Sequence, residues 1–197
     1  MIRQVEFKVR SWGGRRKGAG RKRHTDELPH LARPEISPKY PYHVTIRVRN
    51  DVVSLRRRKA FAAIKRAVKI ARERLGMRIC HFAVLGSHAH FLVEAQNRIA
   101  LGRAMRALEL RIARALNRLM NREGPVMADR YHLHVLKTPT EVGRALEYLK
   151  MNARKHGFTT SQLPDRCSSW ADPEVVAPPR SWLLRHGFVR AGPLLAA

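Results

Sequence analysis

The chain has 197 residues, and its 40 Lys and Arg outweigh 15 Asp and Glu to give a formal net charge of +25. A length of one to two ordinary domains with 44% hydrophobic residues supports a buried core, so the composition excludes a purely disordered basic tail, and the charge excludes an ordinary neutral enzyme surface. A folded polycation attracts polyanions because each phosphate it neutralises releases condensed counterions, which makes nucleic acid the leading partner and a membrane surface the weaker one.

Cys80 and Cys167 are too few for a disulfide framework or a four-cysteine zinc site, which points to a reducing compartment. Arg and Lys interrupt every apolar run before the roughly 20 residues a membrane-spanning helix needs, and the first residues lack the apolar stretch of a signal peptide. The expectation is a soluble, cytoplasmic protein with no membrane partner.

In chain order, Val5, Phe7 and Val9 alternate with charged residues as a short strand would, and Gly13 to Arg23 (GGRRKGAGRKR) then reads as a flexible arm. Its Arg15, Arg16, Lys17, Arg21, Lys22 and Arg23 can lie along a phosphate backbone, or can be merely solvated. Leu28 to Pro41, with four prolines, looks like an extended lead-in. The β-branched run His43 to Arg49 predicts a strand. Phe61, Ile64, Val68, Ala71 and Leu75 then recur at helical spacing between Arg56 and Leu75, with Gly76 as the expected C-terminal cap.

Arg78 to Leu85 and His88 to Glu94 read as two strands joined by a tight turn at Gly86-Ser87. A second helix is expected over Ile99 to Met120. At about 100° per residue, Leu101, Met105, Leu108, Ile112, Ala115 and Leu119 fall within about 80° of one another. Arg103, Arg106, Arg111, Arg114 and Arg118 take the opposite side, either as a solvated face or as a set of phosphate contacts. Tyr131 to Lys137 predicts another strand, and Thr138-Pro139-Thr140-Glu141 carries the signature of a helix start with a capping box, the helix ending near Gly157.

Strand, helix, two strands, helix, strand and helix make an α+β chain, a ferredoxin-like sandwich with a mainly antiparallel sheet. Three parts follow: a basic arm and lead-in over 1–42, a folded domain over 43–157, and an irregular C-terminal extension over 158–197 in which Trp182, Leu183 and Leu184 can dock on the core.

Two constellations can carry chemistry. Alternation puts His88 and His90 on one sheet face about 7 Å apart, so their imidazoles can converge on a metal ion while Ala89 and Phe91 face the core. His132 and His134 form a rival pair with the same spacing. On the last helix, Tyr148 and Asn152 stand at i and i+4 and project from one flank with Lys155 nearby. Spacing alone is equally consistent with a boundary tyrosine whose hydroxyl lies in water.

The order strand, helix, strand, GSHAHFLVE, long helix, DRYHLHVLK and a helix ending EYLKMNARKHG resembles the single-tyrosine HUH transposases, and especially their REP-associated tyrosine transposase branch. The resemblance spans about His43 to Gly157. It implies that His88 and His90 hold a divalent metal with Asn152 as a further ligand and that Tyr148 is the nucleophile; Lys155, on the same helix flank, can offset developing charge. Mixed nitrogen and oxygen ligands with open positions suit Mg²⁺ or Mn²⁺. Two positions depart from the family: Ala89, where a bulkier apolar residue is usual, and Ala153, where the branch usually has proline. Without that proline the helix keeps its backbone N–H and can run on.

The implied activity is metal-dependent nicking and joining of single-stranded DNA beside a hairpin, a REP-like or palindromic element, through a 5′-phosphotyrosine intermediate. Tyr131, beside its own histidines, is the runner-up nucleophile. The family holds both dimeric and monomeric members, so a homodimer stays open. The competing reading is a non-catalytic or domesticated binder of structured nucleic acid on the same fold. Against an RNA-recognition sheet, aromatics are only 7% of the chain and no exposed aromatic pair marks the central strands.

Overall fold

The computed structural model describes residues 35–158 and 164–191. The expected strand at Val5 to Val9 and the basic arm with Arg15, Arg16, Lys17, Arg21, Lys22 and Arg23 lie outside these residues.

Five strands form one sheet in which every neighbouring pair is antiparallel: β1 (Tyr42–Arg47), β2 (Glu73–Arg74), β3 (Met77–Val84), β4 (His88–Ala95) and β5 (His132–Val135), in the order β2-β3-β4-β1-β5. Leaving out the two-residue β2, this is the ferredoxin-like arrangement expected from the sequence. Helices α1 (Arg58–Ala71) and α2 (Arg98–Met120) cover one face, and α3 (Pro139–Lys155) with the short α4 (Trp182–Arg185) covers the other.

Period-2 alternation builds both faces from the same strands. Val44, Ile46, Ala89, Phe91 and Val93 point toward α1 and α2, where they join Ile64, Val68, Met105 and Leu108 in the larger apolar cluster. The opposite face packs Leu92, Leu136, Val142, Leu149 and Leu184 into a smaller one. A bulge between Ile79 and His81 in β3 breaks the alternation and leaves Cys80 with this smaller cluster.

The first helix is shorter than its spacing predicts. It ends at Ala71, and the chain turns back through β2, with Leu75 (φ 54°) and Gly76 (φ 74°) forming the tight bend into β3. Gly76 therefore serves the hairpin rather than a helix cap, and a Cβ there would lie 2.7 Å from Gln96 Oε1. In α2, Leu101, Met105, Leu108 and Ile112 are buried as expected, but Leu116 replaces Ala115 and Leu119, and Leu119 is 39% exposed. The last turn rests on the loop at Val53, whose N–H meets Met120 Sδ at 3.5 Å, and this draws the buried stripe around the helix.

Thr138 and Glu141 close the expected capping box on α3, with Thr138 Oγ1 accepting from Glu141 N at 3.2 Å and Glu141 Oε2 accepting from Thr138 N at 3.1 Å. The helix continues through Ala153 to Lys155, and Gly157 follows with φ 73°.

The C-terminal extension is irregular but fastened. Backbone bonds join Val84 N to Cys167 O, Ser169 N to Phe82 O and Ala177 N to Ile79 O, each at 2.9 Å, so the extension runs along the outer edge of β3 and shields it. Arg56 forms a buried two-pronged ion pair with Asp165 at 2.7 Å for both contacts. Leu183 and Leu184 dock on α3 as expected, whereas Trp182 stays half-exposed.

Candidate active site

The polar alternates of β1 and β4 meet on the face covered by α3. Register places Arg47 opposite His88, Thr45 opposite His90 and His43 opposite Leu92, with His132 and His134 one strand further out, opposite Thr45 and His43. Five histidines thus share one side of three adjacent strands.

His88 and His90 stand with ring centroids 5.0 Å apart and planes at 88°. The Nδ1 of His90 lies 3.0 Å from Thr45 Oγ1 and 3.1 Å from His43 Nε2, and the Nδ1 of His88 lies 3.3 Å from Ser87 Oγ in the hairpin turn. Both Nδ1 atoms are therefore engaged, and the Nε2 of His90 is buried without a partner. Burial, reinforced by the surrounding imidazoles, pushes the His90 pKa down to about 3 and that of His43 to about 4, so both rings are neutral at pH 7. Burial, His156 and Arg47 also lower His88.

The apolar stripe of α3 seats the helix so that its flank crosses these histidines. Tyr148 meets His90 edge-on with centroids 5.2 Å apart and His43 at 6.0 Å, and two turns later His156 meets His88 at 5.4 Å. Asn152 lies midway on the same i, i+4, i+8 line, fully buried, with neither its amide oxygen nor its amide nitrogen hydrogen-bonded. Lys155 Nζ sits 6.0 Å from the centre of the Tyr148 ring.

The structure thus brings His88, His90, Tyr148 and Lys155 together, with Asn152 on the line between the two helix–strand contacts. His132 and His134 share the sheet face but stand exposed on the short strand β5. Tyr131 is 8% exposed and belongs to the cluster under α1 and α2. Arg103, Arg106, Arg114 and Arg118 are exposed and Arg111 is partly buried on α2, across the sheet from Tyr148.

Sequence reasoning did not single out His43, Thr45, Arg47 or His156. The first three were readable as one face of a strand by alternation, and His156 as two helical turns beyond Tyr148. Their meeting with His88 and His90 depends on strand register and helix docking.

Among the described residues, no three His, Cys, Asp or Glu side chains converge as a metal-ligand set. The candidate donors are two imidazoles and one amide. They suit a divalent ion in kind: His90 presents an unpartnered Nε2, and Asn152 a buried oxygen lacking any donor. No helix among the described residues is long and apolar enough to cross a membrane.

No family model matches the sequence, and no curated protein matches it. Among solved structures, a transposase candidate from Deinococcus radiodurans R1 is 13% identical, with a TM-score of 0.43 over 68% of this chain and 99% of its own. A REP-associated tyrosine transposase bound to a REP hairpin aligns with a TM-score of 0.59 over 78% of this chain and 93% of its own, at 14% identity. The chain shares the fold of that hairpin-bound transposase.

Proposed function

We propose that the protein is a metal-dependent enzyme of the single-tyrosine HUH type that nicks and rejoins single-stranded DNA beside a hairpin, with residues 43–157 as its catalytic part. The observation that carries this reading is Tyr148 standing edge-on against His90, beside His88, where buried nitrogen and amide groups lack partners. The shared fold with a transposase solved on a REP hairpin supports hairpin DNA as the substrate class.

In this reading Tyr148 Oη attacks a backbone phosphorus. The Oη–P bond forms, the P–O3′ bond breaks, the phenol proton passes to solvent, and the departing 3′ oxygen takes up a proton. The product is a 5′-phosphotyrosine and a free 3′-OH. Attack by the 3′-OH of another strand reverses the step, releases Tyr148 and restores a phosphodiester without ATP.

A phenol of ordinary pKa about 10 is a weak nucleophile at pH 7. Lys155, with Nζ 6.0 Å from the centre of the Tyr148 ring, is available to offset charge that develops during attack, and Arg47, opposite His88, to hold a non-bridging phosphate oxygen. His88, His90 and Asn152 would hold Mg²⁺ or Mn²⁺, which supplies further neutralisation of phosphate charge. The arginines of α2 face away from this site, so they would grip a DNA segment that passes around the domain, as would the basic arm.

The test is incubation with hairpin-flanked single-stranded oligonucleotides of varied sequence and Mn²⁺ or Mg²⁺, with denaturing gels to detect a covalent adduct. Wild type should form it only with metal, and Tyr148→Phe and His88→Ala should lose it by roughly a thousandfold or more. Hairpin binding without an adduct across the library would replace this reading with the non-catalytic binder.

A further inference from the structure

A neutral imidazole carries its one proton on either Nδ1 or Nε2, and only the nitrogen without it can bind a metal. In His90 the two nitrogens have different surroundings. Nδ1 has Thr45 Oγ1 at 3.0 Å and His43 Nε2 at 3.1 Å, both able to accept a proton, whereas Nε2 is buried with nothing to accept one. An N–H placed at Nε2 would be an unsatisfied buried donor, and the same proton placed at Nδ1 is satisfied. The difference selects the Nδ1–H tautomer and leaves a bare lone pair at Nε2.

We propose that Thr45 and His43 are positioning residues that hold His90 in the Nδ1–H tautomer, leaving the lone pair of its buried Nε2 free to bind a metal. The inference rests on the metal reading above for its purpose, but the tautomer is a property of the protein without metal. Two acceptors stand within reach of one N–H, so each covers for the other. His43 also packs edge-on against Tyr148, which ties the orientation of the His90 ring to the docking of α3. Partners of this kind on the far nitrogen of a metal-binding histidine typically account for a 10–100-fold range of metal affinity.

The redundancy gives the proposal a distinctive signature. Thr45→Val removes the hydroxyl while keeping the shape, and His43→Phe removes the ring nitrogens while keeping a ring against Tyr148. Each single variant should weaken Mn²⁺ binding by no more than about threefold, and the double variant by roughly 10–100-fold, with Thr45→Ser like wild type. Mn²⁺ affinity is read by electron paramagnetic resonance on the full-length protein without DNA, and thermal unfolding of each variant checks that it is folded.

The tautomer itself is read from the ¹⁵N shifts of the His90 ring in the metal-free wild-type protein. A protonated Nδ1 with a bare Nε2 is expected, and a protonated Nε2 overturns the proposal whether or not any variant folds. So does a folded double variant that binds Mn²⁺ as wild type does. If wild type binds no Mn²⁺ at all, the metal reading fails, and the ring shifts alone still decide whether Thr45 and His43 set the tautomer.

Discussion

The two faces of the sheet are built from the same strands and obey different rules. On one, Val44, Ile46, Ala89, Phe91 and Val93 pack against α1 and α2 in a continuous apolar layer. On the other, His43, Thr45, Arg47, His88 and His90 alternate with them, and the covering helix brings Tyr148 and Asn152 into the same region. Burying an amide and an imidazole nitrogen without partners opposes folding, whereas the five strand side chains of the apolar layer carry no polar atom to leave unpaired. The first face holds the fold together. The second gives up stability at the residues of the proposed metal site, where unpaired lone pairs would serve as ligands, and functional sites are where such violations are expected to concentrate.

The largest stability effect should come from the apolar face. Phe91→Ala, at a fully buried ring, should cost about 3–5 kcal/mol in chemical denaturation; a cost below about 1 kcal/mol would mean that the layer is loosely packed.

Acid sensitivity belongs to the opposite side, where burial lowers the pKa values of His43, His81 and His90. His81, which stacks on Trp170 of the extension at 4.9 Å, has its pKa lowered by burial to about 4. Between pH 6.5 and about 4 the unfolded chain binds a proton there that the folded chain does not, so this contribution to stability is complete above 6.5 and is lost as pH falls. His81 should contribute about 1.4 kcal/mol per pH unit to a slope that His43 and His90 steepen further, and His81→Gln should reduce the slope by that amount in urea unfolding followed across pH. An unchanged slope would place the acid-sensitive group elsewhere.

Asn152→Leu sets the two faces directly against each other. Replacing an unsatisfied buried amide by a side chain of similar shape should raise stability by about 1–3 kcal/mol while reducing formation of the covalent adduct. A destabilised variant would show that the amide has a structural role. The smallest effect is expected at the start of α3, where Thr138→Ala should cost about 1 kcal/mol in thermal unfolding through loss of the cap.

The apolar face was legible in the sequence because periodicity is a local signal: the alternation of β1 and β4, the spacing of α1, and the capping box of α3 all sit within a few residues of the elements they specify. The turn at Leu75-Gly76 escaped because α1 could have continued, and it stops only where Arg72 to Arg74 pair with β3. The extension along the β3 edge has no periodicity to read, since isolated backbone bonds and the Arg56–Asp165 pair, 109 residues apart, fasten it. In the site, His88 and His90 were visible by alternation, and Tyr148 and Asn152 by helical spacing. Thr45 and His43 were not, because the contact between them and His90 exists only once β1 and β4 take their register.

Mapping the modified residue tests the account most directly. The adduct formed on a hairpin-flanked oligonucleotide is trimmed with nuclease, digested with protease and sequenced by mass spectrometry, with Tyr40, Tyr42, Tyr131 and Tyr148 as the alternatives present in the chain. The nucleotide is expected on Tyr148. A nucleotide on Tyr131, whose ring belongs to the opposite face, would contradict it.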